Sequence, residues 1–293
     1  MSALIQLTLD GSLVLDGHRV SMRVLGNSMV ALQGAADRAY LDVRYGTVWK
    51  HQRLHFSLRE KADFIVGTPY EGSYVIEFLS SAGTAIVERI RAAVRDPYGK
   101  AVAGGNDQIF SITHQIEARK GALANKIFAP QEYKKFLETP DDLITRTYGD
   151  KSINKEINEM LTYVRNDADA LVKLVLKPSE NDAAETFEFN RETALAFQKI
   201  IKHRQLGNPV LYRGELRELD HGHKRKSNFK GKFINSENDK DVVIHIQSEE
   251  DFQRLVPHLG GVAFSIVACP IIEYSSYDQV AGDIQFLDIL EDV

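Results

Sequence analysis

Apolar positions change their period several times along this chain, and each change predicts a different element. Leu4, Leu7 and Leu9, then Leu13 and Leu15, flank Asp10-Gly11, a pair that tolerates positive φ, so a strand entering a tight turn is expected. Val20, Val24, Val30, Leu32, Ala36, Ala39, Tyr40 and Val43 recur at steps of three and four. That spacing predicts helical structure interrupted around Gly26-Asn27, with Asn27 or Ser28 capping the second piece. From Gln52 to Phe78 the period falls to two, through Leu54, Phe56 and Leu58, then Phe64 and Val66, then Tyr74, Ile76 and Phe78. Strands are expected there, with residues 67–72 as a hairpin loop. Ile86, Val87, Ile90 and Val94 return to helical spacing, which Asp96-Pro97 is expected to end.

Residues 107–176 read as helical almost throughout. Ile109, Ile112, Ile116, Leu123 and Ile127 make one stripe; Ile153, Ile157, Leu161, Val164, Leu171 and Leu174 make another. A polar loop at 177–182, a short strand at 186–189 and a helix from Glu192 to His203 follow. From Pro209 onward the pattern predicts strands near 210–218, 227–235, 241–247, 261–268 and 283–290. Ser248 is placed to cap a short helix at Glu249 to Val256. Five short strands with one helix between the third and fourth are the sequence pattern of a small, OB-like β-barrel. The expected fold class is α+β: an α+β domain at 1–105, a helical middle at 106–204 packing on it, and a five-stranded barrel at 205–293.

Length and composition narrow the classes. At 293 residues the chain exceeds the roughly 100–200 residues of one domain. A net charge of −5 argues against a protein that coats nucleic acid indiscriminately, so any such contact must be local. The basic run from Lys224 to Lys232 is a patch on an otherwise acidic tail, opposed by Glu273, Asp278, Asp283, Asp288, Glu291 and Asp292. A single cysteine, Cys269, in an apolar run excludes an internal disulfide and a cysteine-rich zinc site, and is expected to be buried and structural. Asp10 and Asp16 interrupt the first apolar stretch, and no apolar run approaches the ~20 residues needed to cross a bilayer. A cytoplasmic protein without membrane contact is expected.

Candidate chemistry is sparse. Lys224, Arg225, Lys226, Lys230 and Lys232, with Phe229 interleaved, have the ingredients of a single-strand platform: cations that track phosphates and an aromatic that stacks on a base. Alternation also allows Phe229 and Phe233 to share an inward face with Gly231. Asp220, His221 and His223 form a conceivable metal cradle or a polar hairpin connection. His114 with Glu117, and His51 with His55, are candidates for acid–base work, though no nucleophile or carboxylate set stands at recognisable spacing around them. Residues 99–105 lack the Lys-Ser/Thr ending of a phosphate loop, so no cofactor is expected.

The segment Glu71-Gly-Ser-Tyr-Val-Ile-Glu-Phe78, preceded by Ala62-Asp-Phe-Ile-Val66, resembles the first domain of uncharacterised bacterial and prophage-encoded two-domain proteins. Tyr212 to Leu219 and Gly282 to Leu287 resemble their C-terminal five-stranded barrel. The resemblance covers the two ends of the chain and implies no activity; it implies company with genes of phage–host conflict. The function expected is therefore a non-enzymatic binding protein with a protein partner and self-association through the helical middle. Single-stranded nucleic-acid binding through the basic hairpin is the first alternative, and a metal-dependent hydrolase or nuclease the second.

Overall fold

A computed structural model describes residues 3–15, 19–67, 74–80, 83–104, 111–127, 129–222 and 229–290. The first elements are β1 (Ala3–Gly11), β2 (Val14–Leu15), β3 (Arg19–Val20), α1 (Met22–Tyr45), a 3-10 turn (Phe56–Lys61), β4 (Ile65–Val66), β5 (Tyr74–Ser80) and α2 (Thr84–Val102). There follow α3 (Ile112–Ala124), β6 (Gln131–Glu132), α4 (Tyr133–Glu138), α5 (Tyr148–Met160), α6 (Thr162–Asn166), β7 (Ala170–Lys177), β8 (Glu185–Phe189) and α7 (Arg191–Ile201). The last stretch holds β9 (Arg204–Leu206), β10 (Val210–Asp220), β11 (Phe229–Asn235), β12 (Lys240–Ile246), α8 (Glu249–Leu255), β13 (Phe264–Glu273) and β14 (Ile284–Leu290). Among the described residues no helix is long and apolar enough to cross a membrane.

Two compact units result. The first draws on Met1–Val48, Gln52–Asp107 and Tyr148–Lys202, the second on Trp49–His51, Gln108–Thr147 and His203–Val293. The expected helical middle at 106–204 is thus divided, its first part belonging with the barrel and its second with the front unit.

The first unit is an antiparallel sheet in the order β4-β5-β1-β7-β8. Alternation in β1 buries Ala3, Ile5, Leu7 and Leu9. Ile5 lies opposite Phe78 and Leu176, and Leu7 opposite Ile76 and Leu174, so one apolar face runs across three strands. Helix α2 packs against β1 and β7, and α1 packs on α2 and α5. Stretch 170–177, read as helix in the sequence, is β7: its buried residues alternate strictly, a period of two that the sheet rewards and a helix would not.

Other local expectations are corrected here. Helix α1 is continuous from its cap, where Ser21 Oγ accepts from Val24 N at 3.1 Å. A glycine in a helix interior costs only about 1 kcal/mol, less than α1 regains by burying Ala31, Leu32, Ala35, Ala36 and Ala39. The alternation at Leu54, Phe56 and Leu58 forms a 3-10 turn, capped by His55, rather than a strand. Helix α2 runs through Pro97 to Val102 instead of stopping before it.

The second unit contains a closed five-stranded barrel. Its wall runs β10-β11-β12-β14-β13 and back to β10, with β9 appended to β13 and β6 to β10. Every barrel pairing is antiparallel except β12–β14, which is parallel, with Ile244 beside Ile284 and His245 beside Gln285. Within the barrel wall strand β10 serves two partners: residues 210–214 pair with β13 and 214–220 with β11. A Cβ at Gly214, where it changes partner, would stand 1.9 Å from the Ile234 carbonyl, so only glycine fits. Tyr212, Leu216, Phe233, Ile244, Ile266, Ile284 and Phe286 fill the interior. Phe252 and Leu255 of α8 and Tyr133 and Phe136 of α4 join the same core. Ser248 caps α8 as the sequence predicts, its Oγ accepting from Asp251 N at 3.1 Å.

Candidate binding surface on the barrel wall

Strand β11 turns Phe229, Gly231 and Phe233 into the barrel and Lys230, Lys232 and Ile234 out of it. Phe229 is 7% exposed, tilted against Phe252 with ring centres 5.3 Å apart. Little of that ring is left to serve as the expected stacking platform, because the apolar alternation of the strand turns it inward, although Phe229 still lines the cleft described below.

The two outward lysines differ. Lys232 Nζ lies 2.9 Å from Asp241 Oδ2 and 3.9 Å from Glu218, and the hydrogen bond and charge of Asp241 raise its pKa. Lys230 is exposed and has no ion pair among the described residues. It stands opposite His245 across the β11–β12 ladder. Lys224, Arg225, Lys226 and His223 lie outside the described residues.

One end of this wall is occupied by the unit's own chain. Lys50 N donates to Asp278 Oδ2 at 2.6 Å, and Lys50 Nζ to Asp283 Oδ1 at 2.5 Å. His245 Nε2 stands 3.3 Å from the other oxygen of Asp283. Burial alone would raise the Asp283 pKa, but the hydrogen bonds and charges of His245 and Lys50 override it and hold the carboxyl far below the usual carboxylate range. Trp49 lies under Lys240 Nζ, 5.4 Å from the ring centre.

Beyond His245 the wall opens into a cleft of about 200 Å³. Lys230, His245 and Gln285 line it from β11, β12 and β14, Arg204 and Leu206 from β9, Ile271 from β13, Ile112 from α3, and Gln247 from the end of β12. Helix α3 is held over the wall by Ile116, which packs with Leu206, Val267, Cys269, Ile271 and Leu287. Cys269 is fully buried there, and burial pushes its thiol up to about 12, so it is a packing residue as its apolar context predicts. Arg204, which lines the cleft, donates from Nε to Glu273 Oε1, and its terminal nitrogens have no hydrogen-bond partner among the described residues.

The remaining candidates fall elsewhere. His221 Nε2 lies 2.8 Å from Glu249 Oε2, with its ring edge-on to Phe229 and Phe252. It closes the barrel end at α8; among the described residues no group of three metal-ligating side chains forms. His114 and Glu117 are exposed on α3. His51 meets Trp49 edge-on, and His55 Nδ1 lies 2.8 Å from Ser57 Oγ.

Sequence reasoning found Lys230 but missed Arg204, Gln247 and Gln285. They come from different strands, and only the β9–β13 and β12–β14 pairings bring them to one place. The chain matches no protein-family model, no curated protein and no solved structure.

Proposed function

We propose that this chain is a binding protein and that its barrel is an OB-type module holding single-stranded nucleic acid against the wall that carries Lys230. The observation behind the reading is the strand connectivity: order 1-2-3-5-4-1, closure of the first strand on the fourth, a parallel third–fifth pair, and a helix between the third and fourth. OB barrels take oligonucleotides and oligosaccharides on the face of their second and third strands and the loops beside it. Here those strands are β11 and β12.

Charge favours the nucleic acid over the saccharide. Lys230 and Arg204 place a pair of cations on the lining of the cleft on that face, and the sequence Lys224-Arg225-Lys226 precedes β11. The net charge of −5 confines the contact to this patch, so binding is local and strongly screened by salt.

The test is a titration of a labelled single strand with the full chain at rising NaCl, followed by fluorescence anisotropy. Binding that falls with salt, with a log–log slope of about −0.7 per phosphate contacted, agrees with the reading. Absent or salt-independent binding overturns it.

A further inference from the structure

We propose that the cleft beside Lys230 is a single-nucleotide pocket that selects bases bearing an exocyclic amino group, an inference that rests on the strand-binding reading above. At about 200 Å³ the cleft is smaller than the roughly 300–1,000 Å³ of pockets for drug-sized ligands, so it takes one compact unit of a longer chain. Ile112, Leu206, Phe229, Ile246 and Ile271 give it an apolar lining that suits a flat ring.

Gln285 carries the selection. It is 4% exposed, and both its amide hydrogens are committed: Nε2 donates to the His245 carbonyl at 3.0 Å and to the Phe286 carbonyl at 3.3 Å. Those two bonds fix the amide plane and leave Oε1 as an acceptor only. Among the described residues none donates to it. Oε1 is not one of the buried side-chain atoms left without a partner among the described residues, so it reaches the solvent of the cleft, where a ligand N–H can take the place of water. Adenine, cytosine and guanine present an amino group for this. Thymine's one N–H sits between two carbonyl oxygens, which would face the same acceptor.

The phosphate has its own partners at the mouth. Lys230, without an ion pair among the described residues, supplies an ammonium, and Arg204, engaged among those residues by Glu273 at Nε alone, supplies two terminal nitrogens.

The test titrates the full chain with AMP, CMP, TMP and inorganic phosphate, followed by amide chemical shifts. AMP and CMP should bind at least about threefold more tightly than TMP or phosphate, the worth of one hydrogen bond. Ile112→Trp, which fills the cleft from α3, should abolish this binding. Lys230→Ala, at an exposed position that folding does not depend on, should weaken AMP and CMP several-fold. Equal binding of the three nucleotides, binding of none, or an Ile112→Trp variant that binds like the parent overturns the inference. Strands that bind with salt dependence while mononucleotides do not would remove the pocket alone. Mononucleotides that bind with the expected preference while strands do not would remove the strand reading and keep the pocket.

Discussion

Asn154 Nδ2 donates a 2.8 Å hydrogen bond to the carbonyl of Ala93, the oxygen that Pro97 leaves without its helical donor. Proline has no N–H to return to the residue four before it, and normally kinks or ends a helix. A fully buried side chain on α5 supplies the missing donor, which lets α2 continue to Val102. Asn154→Leu should therefore destabilise the first unit by roughly 1–3 kcal/mol, towards the lower end because Asn154 Oδ1 is itself buried without a partner. In the Pro97→Ala background, where residue 97 regains an N–H, the same substitution should cost clearly less. Urea unfolding of the four-member cycle measures the difference, and additive costs would contradict the assignment.

Two glycines should respond with opposite signs. Gly26 lies inside α1 with nothing within 4 Å of an added Cβ, so Gly26→Ala should stabilise by about 0.5–1 kcal/mol. At Gly149 a Cβ would stand 2.3 Å from Asp42 Oδ2. That carboxylate accepts from Arg89 Nε at 2.6 Å, while Arg89 Nη1 reaches Asp150 Oδ1 at 2.8 Å, and the two acids keep the arginine pKa raised against the opposing effect of burial. Gly149→Ala should displace Asp42 and cost about 2–4 kcal/mol, in the range of breaking a buried ion pair. Thermal unfolding of the two variants checks both signs.

Asp283 gives the second unit a dependence on acid. Its folded pKa is depressed by His245 and Lys50, so its contribution is fully present above the unfolded carboxylate value of about 4 and is lost as the pH falls below it towards the folded value. Asp283→Asn should lower the melting temperature at pH 7, and the gap to the parent should narrow steadily below about pH 4. A gap independent of pH across that range would show that the ion pairs with Lys50 and His245 contribute little.

The barrel was the most legible part of the sequence. Its strands alternate cleanly, its turns are polar, and Ser248 announces α8 by a local cap, all signals that survive without tertiary context. The front unit was less legible wherever a distant residue decides the outcome. Pro97 reads as a helix end unless Asn154 is known to face Ala93. Gly26 reads as a break unless the alanines around it are known to be buried. Ala170 to Lys177 mixes leucine and valine, and only pairing with β1 settles it as a strand. Of the binding surface, the outward phase of Lys230 and Lys232 could be read from alternation. The pairing of Lys232 with Asp241, and the meeting of Arg204, His245 and Gln285, depend on strand neighbours that no short-range pattern encodes.

The central claim is that the wall carrying Lys230 holds a nucleic-acid strand, and comparing charge reversals at its two outward lysines tests it most directly. Single-strand affinities of the parent, Lys230→Glu and Lys232→Glu are measured side by side at low and moderate salt. Lys230, unpaired among the described residues, should lose about tenfold in affinity on reversal, with a shallower salt slope. Lys232, already matched by Asp241 and Glu218, should lose markedly less. Equal losses at both positions, or an affinity that Lys230→Glu leaves unchanged, would contradict the account.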